Sequence, residues 1–332
     1  MDPSNDTEDI SCQDNINENR ALYIFYSSVV AVEFILGLLL NISVIHLFIF
    51  KLMFWKSKAI DIFLFNLVLA DILLLIGLPV KAYNFQQCSE NKVVCKVQLF
   101  LQFLNRGASI AFLTVISIYR YFSVVHPGKR KVLRILNQSP QISIFIWVLL
   151  TILTIPAMLQ SFISCNSNEN DKLENDPNEN VQNGNDNQPN LTNIILREIV
   201  FFTQILIPFF VLVYCSIRIT KRLKQKSVGD KNKLRKAMFL VTSVVLVFAV
   251  CFLPYAVTRA VQLKSGHKLK EEKDTVAKVY DGFICLSYLN CLLDPILYCL
   301  SSSKFKKLYM SNYLPFLLEK EQPESSDDTA DE

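Results

Sequence analysis

Residues 95–127 read CKVQLFLQFLNRGASIAFLTVISIYRYFSVVHP. The run stays largely apolar over a length that crosses a bilayer, yet it carries Arg106 in its interior and closes with Arg120-Tyr121 and His126-Pro127. At about 1.5 Å of rise per residue, the helix from Cys95 to Arg106 makes about three turns. Arg106 therefore shares a face with Cys95, roughly 16 Å deeper. A cation at that depth costs roughly 2.5–3.5 kcal/mol on insertion scales, so it faces a protein interior or a cavity and marks function. The planar guanidinium fork matches the two oxygens of a carboxylate. The stretch points to an organic-anion site inside a membrane helix bundle, with Arg106 as its anchor. The competing role for Arg106 is a structural salt bridge, to Glu33 or Asp281 for example.

The rest of the chain supports a bundle. Of 332 residues, 51% are hydrophobic and only 19% charged. The apolar residues gather into runs long enough to span as helices: Leu22–Phe50, Ile60–Tyr83, Val94–Val125, Ile142–Ile163, Ile194–Ile219, Ala237–Val261 and Val276–Leu300. The expected fold is an all-α membrane protein, a seven-transmembrane helix bundle with a partly polar interior. Residues 1–21 form a polar extracellular tail without an apolar h-region, and the first span acts as the anchor. The bundle covers 22–301. A short amphipathic surface helix follows at 302–312, where Phe305, Leu308 and Tyr309 alternate with Lys304, Lys306 and Lys307. An acidic, disordered cytoplasmic tail occupies 313–332, and Ser325, Ser326 and Thr329 within it are open to phosphorylation.

Loop charges set the orientation. Lys51, Lys56, Lys58, Lys129, Arg130, Lys131, Arg134 and eight basic residues between Lys221 and Lys236 lie on one side. Lys92, Lys172, Lys264, Lys268, Lys270 and Lys273 lie on the other. The asymmetry places the N-terminus outside the cell in a multi-pass plasma-membrane protein. Glycosylation is then possible at Asn5 and Asn190, whereas the Asn137 sequon faces inward. Four cysteines face the oxidising side, and they allow three pairings. Cys95–Cys165 is favoured because it ties the third span to the second outer loop, leaving Cys12–Cys88. That loop, 166–190, holds ten Asn and six acids, a composition that cannot bury a core. The net charge of +4 reflects inner loops facing anionic lipid and is no argument for nucleic acid.

Polar groups recur inside the spans. Asp71, Ser109, Asn290 and Asp294 offer oxygens to a small hard cation such as Na⁺, or form a hydrogen-bonded cluster without one. Prolines at 156, 208, 254 and 295 interrupt spans. Cys251-Phe252-Leu253-Pro254 and Asp294-Pro295-Ile296-Leu297-Tyr298 read as hinges. Enzyme chemistry is poorly served. His46, His126 and His267 are too far apart in the topology to meet, and no phosphate-binding glycine loop is present. No metal centre beyond the sodium candidate at Asp71 is expected. A retinal protein would need a lysine deep in the last span, where Tyr288 and Asn290 stand instead.

Asn41, Leu69-Ala70-Asp71, Cys95, Arg120-Tyr121, Trp147, Pro208, Cys251-Phe252-Leu253-Pro254 and Asp294-Pro295-Ile296-Leu297-Tyr298 occur in this order. As a set they resemble a rhodopsin-like (class A) G-protein-coupled receptor over about residues 22–312. Several stretches resemble the hydroxycarboxylic acid and oxoeicosanoid receptor branch. These are Phe63-Leu64-Phe65-Asn66-Leu67, Asn105-Arg106-Gly107-Ala108-Ser109, Phe112-Leu113-Thr114-Val115, Val124-Val125-His126-Pro127, Tyr288-Leu289-Asn290 and Ser301-Ser302. The resemblance implies that Arg106 anchors a ligand carboxylate, that Tyr288 and Asn84 line the same pocket, and that signalling runs through Gi-type G proteins. It also implies that Arg120 and Tyr121 serve G-protein coupling. Arrestin and receptor kinases become expected partners of the tail.

The chain departs from the branch in three places. Tyr119 stands where the family has an acid before Arg120, no tryptophan occurs in 84–94, and the second outer loop lacks a serine-rich aromatic lid. Without its acid, Arg120 either is released, which raises basal signalling, or is held by Asp61 or by backbone carbonyls. The expected function is a non-enzymatic receptor for a monocarboxylate, a hydroxycarboxylic acid or oxidised fatty acid, with Arg259 of the sixth span across the pocket from Arg106. The alternatives are a peptide receptor using the acidic outer loop, or an organic-anion transporter, although transporters usually show repeated halves.

Overall fold

The computed structural model describes residues 19–53, 58–86, 92–164, 191–225, 231–264 and 270–313. Among these residues the regular structure is entirely helical. The disulfide pairings Cys95–Cys165 and Cys12–Cys88, the sequons at Asn5 and Asn190, the second outer loop and the acidic tail involve residues outside that set.

Six helical stretches are long and apolar enough to cross a membrane: Arg20–Leu52, Ala59–Asn84, Val97–Val125, Glu198–Gln225, Leu234–Lys264 and Thr275–Leu300. A seventh is Ser139–Ser164, 26 residues without a single charge. At 1.5 Å per residue it is about 39 Å long, enough to span. It follows a short helix, Arg130–Leu136, at a bend of 64°; the spacing of the inner loop did not announce that helix.

Burial is sorted as lipid demands. Leu39, Ile76, Phe145, Ile152, Phe210 and Leu246 are exposed on the bundle's outside, while Asn41, Asp71, Ser109, Asn290 and Asp294 are buried inside. The third span is the hub, packing against the second, fourth, fifth and sixth. Gly107, beside Arg106, permits the close approach of the fourth span, since a Cβ there would lie 2.7 Å from Leu150 Cδ2.

Proline chemistry shapes the last two spans. The sixth is interrupted at Phe252, between Lys231–Cys251 and Leu253–Lys264. Pro254 brings no N–H to the ladder, so the carbonyl four residues earlier goes without its helical donor. The seventh breaks at Leu289, between Lys270–Tyr288 and Asn290–Ser301, not at the Asp294–Tyr298 segment itself. The carbonyl that Pro295 frees, that of Cys291, instead accepts from Asn41 Nδ2 at 3.0 Å, which ties the first span to the seventh. The first span ends in a π-helical segment, Leu47–Leu52, stopped by Met53 in the left-handed region at φ 47°.

The final helix runs Ser303–Tyr313, within a residue of its expected bounds. Phe305 is buried against Phe48 and Tyr298, with ring centroids at 5.3 and 6.1 Å. Tyr313 Oη lies 2.8 Å from His46 Nδ1. The helix is therefore pinned to the first span by its aromatic face, with its lysines pointing away.

Candidate functional site

Arg106 is 6% exposed, in the N-terminal half of the third span. Three rings surround its guanidinium: Tyr255 at 4.1 Å, Phe103 at 5.6 Å and Phe201 at 5.7 Å from Cζ to centroid. Phe103 comes from one turn earlier on the same helix, Phe201 from the fifth span and Tyr255 from the sixth. Cation–π contact of this kind contributes about 2 kcal/mol when desolvated. Ring contact of this kind stabilises the charge without supplying a hydrogen-bond acceptor in the plane of its N–H groups. Nη1 is buried and makes no hydrogen bond. Among the described residues Arg106 forms no ion pair, and both carboxylate oxygens of Glu33 are buried without a partner. A salt bridge to Glu33 or Asp281 is thus not how this arginine is held. An edge-on carboxylate is the group its remaining donors fit.

Phe103, Phe201 and Tyr255 also line a cavity of about 160 Å³, together with Glu198, Arg259 and Tyr280. Arg106 itself does not line that space; the rings that surround it do. Arg259 lies at the cavity as its position in the sixth span suggested, but its fork is engaged. It grips Glu198 through Nη2–Oε1 at 2.6 Å and Nε–Oε2 at 3.3 Å, and Nη1 donates to Gln262 at 3.3 Å. Glu198 was the missed residue; an acid within an apolar span was the signal for it. Tyr288 is buried beside Tyr255 and Ile284 rather than at the cavity wall. Asn84, the last residue of the second span, does not line the cavity either. The Tyr255 and Tyr280 hydroxyls, 2.8 Å apart, close the side that faces the seventh span.

One turn deeper lies a site of opposite character. Asp71, Ser109, Asn290 and Asp294 are all buried. Asp71 Oδ1 accepts from Asn105 Nδ2 and Cys291 Sγ, both at 3.3 Å, and Asn290 Nδ2 donates to Asp294 Oδ2 at 3.0 Å. Asp71 Oδ2, Asp294 Oδ1, Asn290 Oδ1 and Ser109 Oγ have no hydrogen-bond partner. Four hard oxygens with two acids suit a small monovalent cation. Phe252, at the break in the sixth span, packs edge-on against Phe248 at 5.3 Å, and Phe248 stacks on Phe209 at 5.6 Å. Tyr298 is buried with its hydroxyl unpartnered.

At the C-terminal end of the third span, Tyr121 is buried and its hydroxyl lies 3.0 Å from His126 Nε2. The Tyr119 hydroxyl donates to Asn137 Oδ1 at 3.3 Å, so it is directed at the segment joining Arg130–Leu136 to the fourth span. Burial disfavours the charge on Arg120, and the nearby Asp61 carboxylate offsets part of that.

Comparison with known proteins agrees with this architecture. Residues 40–298 match the family described as 7 transmembrane receptor (rhodopsin family). Relatives include Hydroxycarboxylic acid receptor 2 of Homo sapiens, 32% identical over 85% of this chain and 75% of its own length. The 12-(S)-hydroxy-5,8,10,14-eicosatetraenoic acid receptor of Mus musculus is 32% identical over 85% of this chain and 86% of its own. Oxoeicosanoid receptor 1 of Homo sapiens is 26% identical over 92% of this chain and 76% of its own. These relatives are receptors rather than enzymes. With its spanning helices and buried polar interior, this chain is a multi-pass plasma-membrane protein that belongs to the rhodopsin family of seven-transmembrane receptors.

Proposed function

We propose that this receptor is activated by a monocarboxylate whose carboxylate meets the free edge of Arg106, and that it signals through a Gi-type G protein. The carrying observation is the arginine itself: buried, surrounded by three rings, and unpaired at Nη1. The names of its relatives, two of which are receptors for hydroxy acids, support the same ligand class. The cavity of about 160 Å³ resembles one that holds a benzene-sized ring. A small acid fits that space, and its carboxylate meets Arg106 once one of the intervening rings, Phe103, Phe201 or Tyr255, turns aside. A long acyl chain would need it to open, and the apolar groove of Ile195, Ile199, Phe202 and Leu263, which shares Glu198 with the cavity, is the nearest space.

In this reading the N-terminus is extracellular, as the basic inner loops favour. Arg120 and Tyr121 face the G protein, and the acidic tail serves receptor kinases and arrestin. Asp71 and Asp294, with Ser109 and Asn290, would hold a sodium ion, which supplies positive charge to a carboxyl pair that burial otherwise disfavours. The test is a panel of carboxylic acids of graded length, read by inhibition of cyclic-nucleotide synthesis and repeated on Arg106→Ala. Agonism by an acid in wild type and its loss in the variant is the expected result. A response that survives intact in Arg106→Ala removes the proposal.

A further inference from the structure

Away from the ligand cavity, the inner ends of the third and fifth spans enclose a second pocket of about 210 Å³. Val125 and His126 form one wall; Arg218, Lys221, Arg222 and Gln225 form the other. The latter four follow the spacing i, i+3, i+4, i+7, which is one face of a helix. Three permanent cations thus converge on one small space, and no carboxylate lines it among the described residues. Like charges at i, i+3 and i, i+4 repel, so the arrangement is unfavourable without an anion. Arg222 Nε is buried and makes no hydrogen bond, a donor still awaiting an acceptor.

The surface above this pocket indicates where the anion comes from. Phe210, Tyr214 and Ile217 are 65%, 54% and 48% exposed, and they continue the same face up the fifth span toward the bilayer centre. An apolar stripe running directly into a cationic pocket at the membrane boundary matches an amphiphile with a charged head. A soluble anion would have no use for the stripe. An acidic protein segment arriving from the cytosol would not reach along it. His126 joins the pocket to Tyr121 through the 3.0 Å contact of Nε2 with the Tyr121 hydroxyl, so an occupant would sit beside the coupling end of the third span.

We propose that this pocket binds the phosphomonoester headgroup of an anionic inner-leaflet lipid, with Arg218, Lys221 and Arg222 as its cationic ligands and an acyl chain against Phe210, Tyr214 and Ile217. The inference uses the orientation in which these helix ends face the cytosol and is independent of the carboxylate site. Basic pockets between helices on the cytoplasmic side are suited to such headgroups, each cation contributing about 1 kcal/mol near an anionic surface. That corresponds to roughly fivefold in affinity per guanidinium neutralised.

The experiment uses the full-length receptor in phosphatidylcholine nanodiscs carrying fluorescent phosphatidylinositol 4,5-bisphosphate. Saturable binding is expected, with phosphatidylserine a poor competitor. The double variant Arg218→Gln with Arg222→Gln should lose affinity by about twenty-five-fold. Lys224→Gln, an exposed cation on the same helix outside the pocket, should change it less than about twofold. Equal losses in the two variants, or no loss in either, overturn the site. Should the double variant fail to fold, wild type decides by headgroup: phosphatidylserine competing as well as the bisphosphate overturns the proposal. Soluble inositol trisphosphate displacing the probe as effectively as the unlabelled lipid overturns the membrane source.

Discussion

Arg106 and the Asp71–Asp294 pair are neighbours in one helix bundle with opposite deficits. Around Arg106 the unpaired atom is a donor, Nη1; around the carboxyl pair the unpaired atoms are acceptors, Asp71 Oδ2 and Asp294 Oδ1. The third span serves both: Asn105 turns one way to Asp71, and Arg106 turns the other way to Tyr255. Direct pairing of these opposite charges would have been the cheapest way to bury them. The structure keeps them apart instead, with aromatic rings about the cation and amides and a thiol about the acids. Each is stabilised just enough to persist and is left chemically incomplete. In the function proposed above, buried incompleteness of defined sign would specify a ligand: an anion for the Arg106 site, a small cation for the carboxyl pair.

The sharpest way to break the outer half of this comparison is Arg106→Ala. Truncating one member of a buried, hydrogen-bonded charge pair costs about 2–5 kcal/mol, so carboxylate potency should fall about thirtyfold or more. Arg106→Lys should recover part of it, since an ammonium keeps the charge but not the fork. Surface density, measured on an epitope tag, should be unchanged.

The inner half is broken by Asp71→Asn. Replacing sodium with a bulky organic cation should shift agonist affinity in wild type by about tenfold, within the usual range of coupling energies. The variant should show no such shift. Equal sodium dependence in both proteins assigns the cation elsewhere.

A smaller effect sharpens the outer site. Glu198→Gln releases the fork of Arg259 into the cavity, offering the ligand a second cation. Partly exposed ion pairs contribute about 0–1 kcal/mol, so potency should rise by no more than about fivefold. A fall in potency would instead mean that the Glu198–Arg259 pair positions the cavity wall.

The smallest change is expected beyond both sites, where Arg120 is influenced by Asp61. Tyr119→Asp should leave basal nucleotide exchange within about twofold at matched surface density, whereas Asp61→Asn should raise it more. A large drop in Tyr119→Asp would show that the tyrosine had left the receptor partly active.

How much was legible follows from which interactions are local. The spans were readable because length and apolarity are properties of contiguous residues. Arg106 stood out for the same reason, as did Asp71 and Asp294. The Glu198–Arg259 pair was not readable, because its members are 61 positions apart and either could have paired elsewhere. The helix of the seventh span runs on through Pro295, where Asn41 of the first span takes up the freed Cys291 carbonyl, and breaks instead at Leu289. No local reading of the seventh span contains that donor.

By itself, then, the sequence determined that this chain crosses a membrane repeatedly and buries an arginine and two aspartates in apolar helices. Hydrophobic length and the cost of burying charge settle both without reference to any partner. Whether those charges neutralise one another was decided only by the tertiary structure. Helix rotation and packing placed Tyr255, Phe201 and Phe103 around Arg106 and left the carboxylates a turn deeper. A pairing between spans depends on which faces meet, and that is a property of the assembled bundle, not of any one helix.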